Sequence, residues 1–326
     1  MRDRHPAISV VFAPVTLGRM GGGLQTLVTG VSGYVGAALV PRLVRDGHRV
    51  RGFARSAERV RAAGVELDEL VLGDATTGAG LDRALDGIEV AYYLIHSMEG
   101  VDRAFEDTER RQAERFAQAA ADAGVRRVVY LGGLVPQDGP MSRHLASRLT
   151  VERTLLDAVP ESVALRASLV IAARSRSFRF LVRLTERLPV LALPAWSANR
   201  TQPIDGRDVL EFLSAAATVA PEHAGRSWDV GGPDAMTYAE LLRRIADVMM
   251  IDRPSFSLGF NLTPVASVVA AAVAGEDPGL IEPLMESLEY DLLPRDDGAP
   301  AAFGVRLHRF EPAVERALRD MEVQTR

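Results

Sequence analysis

Apolar residues fall in short runs from Leu24 to about Ala167, and the stretches between them place apolar positions at helical spacing. The runs "LQTLVTG", "HRVRGFA", "DELVLGD", "EVAYYLI", "RVVYLGG" and "SVALRAS" predict six strands. Helices are expected over 34–46, 56–63, 81–86, 104–123 and 143–158. In the fourth, Phe105, Phe116, Ala119, Ala120 and Ala123 share a face, while Glu106, Arg110, Arg111 and Glu114 suit water. Strands apolar on both sides, alternating with helices, predict an α/β fold whose parallel sheet is covered on both faces. Right-handed crossovers make the sheet doubly wound, a Rossmann-type arrangement over 24–167.

Beyond Ala167 the alternation weakens, and prolines at 189, 194, 203 and 221 punctuate shorter elements. Thr237 with Glu240 three residues on reads as a capping box, and Asp277-Pro278 as another helix start. A smaller, mostly helical region is therefore expected over 168–326, with a soft boundary because the last strands of the sheet are free to come from it. The apolar run at 262–275 is too short to span a bilayer and suits a buried helix. Residues 1–23 read as a flexible extension: Pro6 and Pro14 interrupt the apolar stretch that a signal peptide would need.

Composition narrows the chemistry. The net charge of −5, with arginines spread along the chain, argues against a nucleic-acid partner. There is no cysteine, which removes disulfides and thiolate nucleophiles and fits a cytoplasmic location. There is also no lysine: all 38 basic residues are arginine, so Schiff-base chemistry is excluded. The six histidines lack zinc-ligand spacing and HExxH is absent, so no metal site is expected. GxSxG is absent as well.

The segment Thr29-Gly30-Val31-Ser32-Gly33-Tyr34-Val35-Gly36 has the form TGxxGxxG between a strand and a helix. Gly30 lets the chain turn off the strand, Gly33 leaves room for a pyrophosphate, and Gly36 lets the helix pack closely. The amides of Ser32 to Val35 then face the phosphates along the helix dipole. Arg55 follows the second strand, where an acid would accept hydrogen bonds from ribose hydroxyls. A planar, permanent cation there suits a 2′-phosphate, with the Ser56 hydroxyl beside it, so NADP(H) is preferred and NAD(H) remains possible. Asp74 and Ala75, after the third strand, would meet the adenine or simply form the turn. His96 and Ser97 leave the fourth strand, and Gly132 and Gly133 end the fifth with room for a nicotinamide. Ser168 and Trp196, with Gly133, are candidate substrate contacts; Arg200 is another, and for Trp196 a packing role is the alternative.

These features resemble the short-chain dehydrogenase/reductase superfamily in its extended and atypical branches. More narrowly, "AYYLIHSM", "YLGGL", "HLASRLTVE", "LRASLVI", "TQPIDGRDVL" and "DVGGPDAMTY" resemble the NmrA-like NAD(P)H-binding proteins. The resemblance implies a tyrosine and a lysine four residues apart on the helix after strand five. Here those positions hold His144 and Arg148. His144 would serve as acid or base and Arg148 would bind ribose hydroxyls; the alternative pairs Arg148 with Glu152 on the surface at helical spacing. The expected function is an NADP(H)-dependent oxidoreductase acting on a small organic carbonyl or alcohol. The alternative is a non-catalytic NADP(H)-binding redox sensor or scaffold, and a sugar-nucleotide epimerase is weaker because it relies on the same missing pair.

Overall fold

The computed structural model describes residues 23–95, 103–138, 141–258 and 287–325. The six expected strands form as β1 (Gln25–Thr29), β2 (Arg49–Ala54), β3 (Glu69–Leu72), β4 (Val90–Tyr93), β5 (Arg127–Gly133) and β6 (Val163–Ala167). Between them lie α1 (Tyr34–Arg45), α2 (Ala57–Ala62), α3 (Leu81–Leu85), α4 (Arg103–Asp122) and α5 (Arg143–Ala158). The chain continues through β7 (Val170–Ile171), α6 (Arg176–Arg187), β8 (Leu191–Leu193), β9 (Arg200–Thr201), β10 (Ile204–Asp205) and α7 (Gly206–Ala216). It ends with β11 (Arg226–Val230), β12 (Met236–Thr237), α8 (Tyr238–Val248), β13 (Ser255–Ser257), α9 (Ala299–Phe303) and α10 (Phe310–Thr325).

One seven-stranded sheet runs β3-β2-β1-β4-β5-β6-β11, and every pairing in it is parallel. Its seventh strand comes from beyond residue 168, so the later region completes the sheet. β4 and β6 are buried along their whole length, as strands covered on both faces must be. Alternate side chains feed two cores: Val28, Tyr92 and Val129 join one, Leu27, Tyr93 and Val128 the other. A third core unites α6, α8 and α10 through residues such as Phe178, Leu241 and Val314. Trp196 packs against it, edge-on to Tyr238 at 6.0 Å.

One expectation needs revision. In α4 the inner face runs through Glu109, Ala113, Phe116 and Ala120, while Ala123 just beyond the helix is exposed; the helix turns Ala117, not Ala123, inward. The expected helix at 262–275 and the Asp277-Pro278 start lie outside the described residues. Thr237 does cap α8, its hydroxyl accepting the Glu240 amide at 3.1 Å.

Arg127 at the start of β5 is fully buried and ties the sheet to the end of α7. Its guanidinium donates to the carbonyls of Ala216 at 2.8 Å, Ala217 at 3.1 Å and Glu161 at 3.1 Å. A cation at a helix C-terminus meets the negative end of the dipole. Arg127→Met strands those carbonyls in the core, and urea unfolding should show a loss of about 3 kcal/mol.

Candidate coenzyme and active site

β1 and β4 are neighbours from which the chain order departs in opposite directions, so a crevice opens beyond their carboxyl ends. The Thr29 hydroxyl closes the floor of that crevice. It donates to the Tyr92 carbonyl at 2.9 Å and accepts the Leu94 amide at 3.0 Å. Gly30 then turns the chain with φ +64°, and a Cβ there would lie 2.5 Å from the Leu94 carbonyl oxygen. Only glycine fits both demands. Gly36 meets the same turn from inside α1: its Cβ would sit 2.5 Å from the Gly30 oxygen. Gly33, by contrast, is exposed and caps α1, with its amide on the Gly30 carbonyl at 2.8 Å. The first turn of α1 therefore presents amides to open space, which fits a pyrophosphate.

The expected site residues line up along this edge of the sheet. In strand order, Asp74 follows β3, Arg55 follows β2, Gly30 follows β1, Gly132 and Gly133 end β5, and Ser168 follows β6. At a strand spacing of about 4.8 Å, Arg55 and Gly132 stand roughly 14 Å apart, the reach of an extended dinucleotide. His96 and Ser97 lie outside the described residues.

Each position has a definite local environment. Arg55 is exposed, and the Ser56 hydroxyl caps α2 by accepting the Arg59 amide at 3.3 Å. Asp74 forms the turn: one carboxylate oxygen accepts the Thr76 amide at 2.8 Å, and Ala75 is buried beneath it. Gly132 lies over the Tyr130 ring, which a Cβ would approach to 2.9 Å. The Ser168 hydroxyl is buried against Thr201 at 3.3 Å. Arg200 binds Asp291 at 2.8 Å, so its charge is already matched.

His144 is the second residue of α5, whose N-cap is Ser142. Burial lowers its pKa below the usual imidazole value, so it is neutral at neutral pH. Arg148, one turn further, is not on the surface and does not pair with Glu152. It is buried between α4 and α5, 3.6 Å from the Glu109 carboxylate and 3.4 Å from the Tyr130 hydroxyl. Burial brings its pKa down to about 10, which leaves it charged at neutral pH. Ser147 donates to the same Glu109 at 2.8 Å. Glu152 instead grips Arg166 with both oxygens, at 2.6 and 2.8 Å, because β6 brings that guanidinium beneath α5. Glu109 escaped the sequence reading, although its spacing to Ala113, Phe116 and Ala120 puts it on the inner face of α4. A carboxylate there demands a buried cation, and that signal was available.

Comparison with known proteins agrees with this geometry. Residues 30–168 match the NAD(P)H-binding family model. A (4-alkanoyl-5-oxo-2,5-dihydrofuran-3-yl)methyl phosphate reductase of Streptomyces griseus is 30% identical over 272 residues, covering 81% of this chain and 86% of that protein. The chain belongs to the atypical short-chain dehydrogenase/reductases, a family of NAD(P)-binding oxidoreductases. Subunit 9 of the NADH dehydrogenase [ubiquinone] 1 alpha subcomplex of Arabidopsis thaliana is 26% identical over 76% of this chain, which spans 63% of that protein. Among solved structures, a short-chain dehydrogenase/reductase superfamily protein from Agrobacterium tumefaciens with bound NAD superposes with TM-score 0.65 at 22% identity. That match covers 93% of this chain and the whole of the other. The family thus carries a nicotinamide coenzyme, and no described helix is long and apolar enough to cross a membrane.

The buried Arg148–Glu109 pair should behave as structure. Arg148→Met or Glu109→Gln alone should cost about 3 kcal/mol in denaturant unfolding, and the double variant should recover much of that loss.

Proposed function

We propose that the protein is an NADP(H)-dependent oxidoreductase interconverting a small organic carbonyl and its alcohol. The observation that carries this reading is the open turn at the head of α1 with an exposed arginine at the end of the adjacent strand β2. Gly33 would leave room for the pyrophosphate, the Tyr34 and Val35 amides would hold it, and Arg55 would meet the 2′-phosphate. The coenzyme, when bound, supplies or accepts the hydride. His144 supplies the proton transfer at its imidazole, while Arg148 positions α5 by anchoring it to α4. Gly132, Gly133 and Ser168 would frame the opening above the sheet. A reductase among the relatives supports the reaction class. Cytoplasmic location belongs to the same reading.

A second reading keeps the coenzyme and drops the turnover: a redox sensor or scaffold. The departure from tyrosine and lysine, together with the similarity to a subunit of NADH dehydrogenase, favours it. Steady-state oxidation of NADPH by a carbonyl substrate decides between the two.

Fluorescence titration should show tighter binding of NADPH than NADH. Arg55→Ala should weaken NADPH about tenfold and leave NADH nearly unchanged, a loss typical of one charge-assisted phosphate contact. Equal losses for both coenzymes remove the 2′-phosphate role.

The lowered pKa of His144 gives the pH profile a direction. Its neutral form, a base, is depleted as pH falls through a value below 6.5, so alcohol oxidation should lose kcat/KM on that acid limb. Carbonyl reduction needs the protonated ring and should rise over the same range. His144→Ala should remove both limbs.

A further inference from the structure

Tyr34 is the first residue of α1, and its side chain points away from the crevice toward the start of α7. Its hydroxyl lies where a Cβ on Gly206 would be 2.7 Å away, so the glycine keeps that space for the phenol. Burial, with Asp205 close by, raises the Tyr34 pKa to about 12, which keeps the hydroxyl neutral and able to donate. Beside it is a cavity of about 200 Å³ bounded by the loop after β7, the start of α7 and the last helix, α10.

The charges around this cavity do not cancel. Arg174, Arg207 and Arg316 line it against two carboxylates, Asp205 and Asp320. Asp205 is buried and already bound: it accepts the Arg207 amide at 2.9 Å, the Arg207 guanidinium at 3.2 Å and the Arg316 guanidinium. Asp320 is exposed at the rim. Arg174 is exposed and makes no hydrogen bond or ion pair among the described residues.

We propose that this cavity is an anion site for a phosphoryl or diphosphoryl group, with Arg174 as its principal charged contact and the Tyr34 hydroxyl as a neutral donor. The cavity has room for a phosphate or diphosphate. A planar guanidinium matches phosphate oxygens in pairs, which a lone helix terminus does not. The proposal does not depend on the assignment of Arg55 or His144. The phosphoryl group belongs to a ligand other than the coenzyme, whose pyrophosphate the crevice at the head of α1 would hold.

Calorimetric titration of the purified full chain with inorganic pyrophosphate tests it. Wild-type protein should bind, Arg174→Ala should weaken binding about tenfold, and Arg174→Glu should abolish it; thermal melts check that both variants fold. Repeating the titration with NADPH at saturation tells the two sites apart. Loss of pyrophosphate binding gives the site back to the coenzyme and overturns the proposal, and retained, Arg174-dependent binding supports it. Absence of pyrophosphate binding to the wild type, or equal affinity in the Arg174 variants, overturns the proposal. Titration with NADPH alone reports separately on the coenzyme reading.

Discussion

A single hydroxyl sets the geometry on which the site depends. Thr29 donates to Tyr92 in β4 and accepts from Leu94 just beyond it, so β1 and β4 stay together just where their ladder ends. Gly30 can then leave β1 in a left-handed turn that touches the Leu94 carbonyl, and Gly36 brings α1 down onto that turn. These close approaches fix where the first amides of α1 point. A bulkier residue at either glycine would force α1 outward and turn those amides away from the crevice. The coenzyme half of the molecule is in this sense a backbone device, and its side chains matter mainly by their absence.

The interior is held differently, by arginines. Arg127 satisfies three carbonyls, Arg148 joins Glu109 and Tyr130, and Arg166 takes both oxygens of Glu152. A guanidinium offers five donors in one plane and stays charged when buried, so it can bridge several acceptors at once. An ammonium is a single point and would leave some of these acceptors unmet. A chain without lysine thus has a ready use for arginine where three elements converge. Arg148 belongs to this group: its position on α5 corresponds to a catalytic lysine, but its bonds are those of a brace.

How far this was legible in the chain depends on the range of the interactions involved. The six strands and five helices of the first half follow from periodicity, and their limits agree within a residue or two because each is short and bounded by turns. The TGxxGxxG turn was legible for the same reason, being contiguous. Partners across the fold were not. Arg148 and Glu152 are four apart on α5, yet they face different neighbours, because β6 supplies Arg166 to one and α4 supplies Glu109 to the other. Trp196 reads equally well as pocket or packing until Tyr238 is placed beside it. The Tyr34 cavity needs α10, nearly three hundred residues away in the chain, and no local pattern announces it.

The proton remains the harder half of the proposed reaction. A catalytic tyrosine would need a lowered pKa, whereas Tyr130, the phenol nearest Arg148, is buried and pushed well above its ordinary value. Its hydroxyl already donates to the Arg148 carbonyl at 3.3 Å. The two glycines that end β5 bring no hydroxyl at all. On the proposed assignment this leaves the imidazole of His144, held neutral by burial at the positive end of α5, where the helix dipole opposes a second charge. A neutral ring there accepts a proton from an alcohol more readily than it gives one to a carbonyl. The site would then work chiefly by holding its reactants in place, with acid strength contributing little at neutral pH.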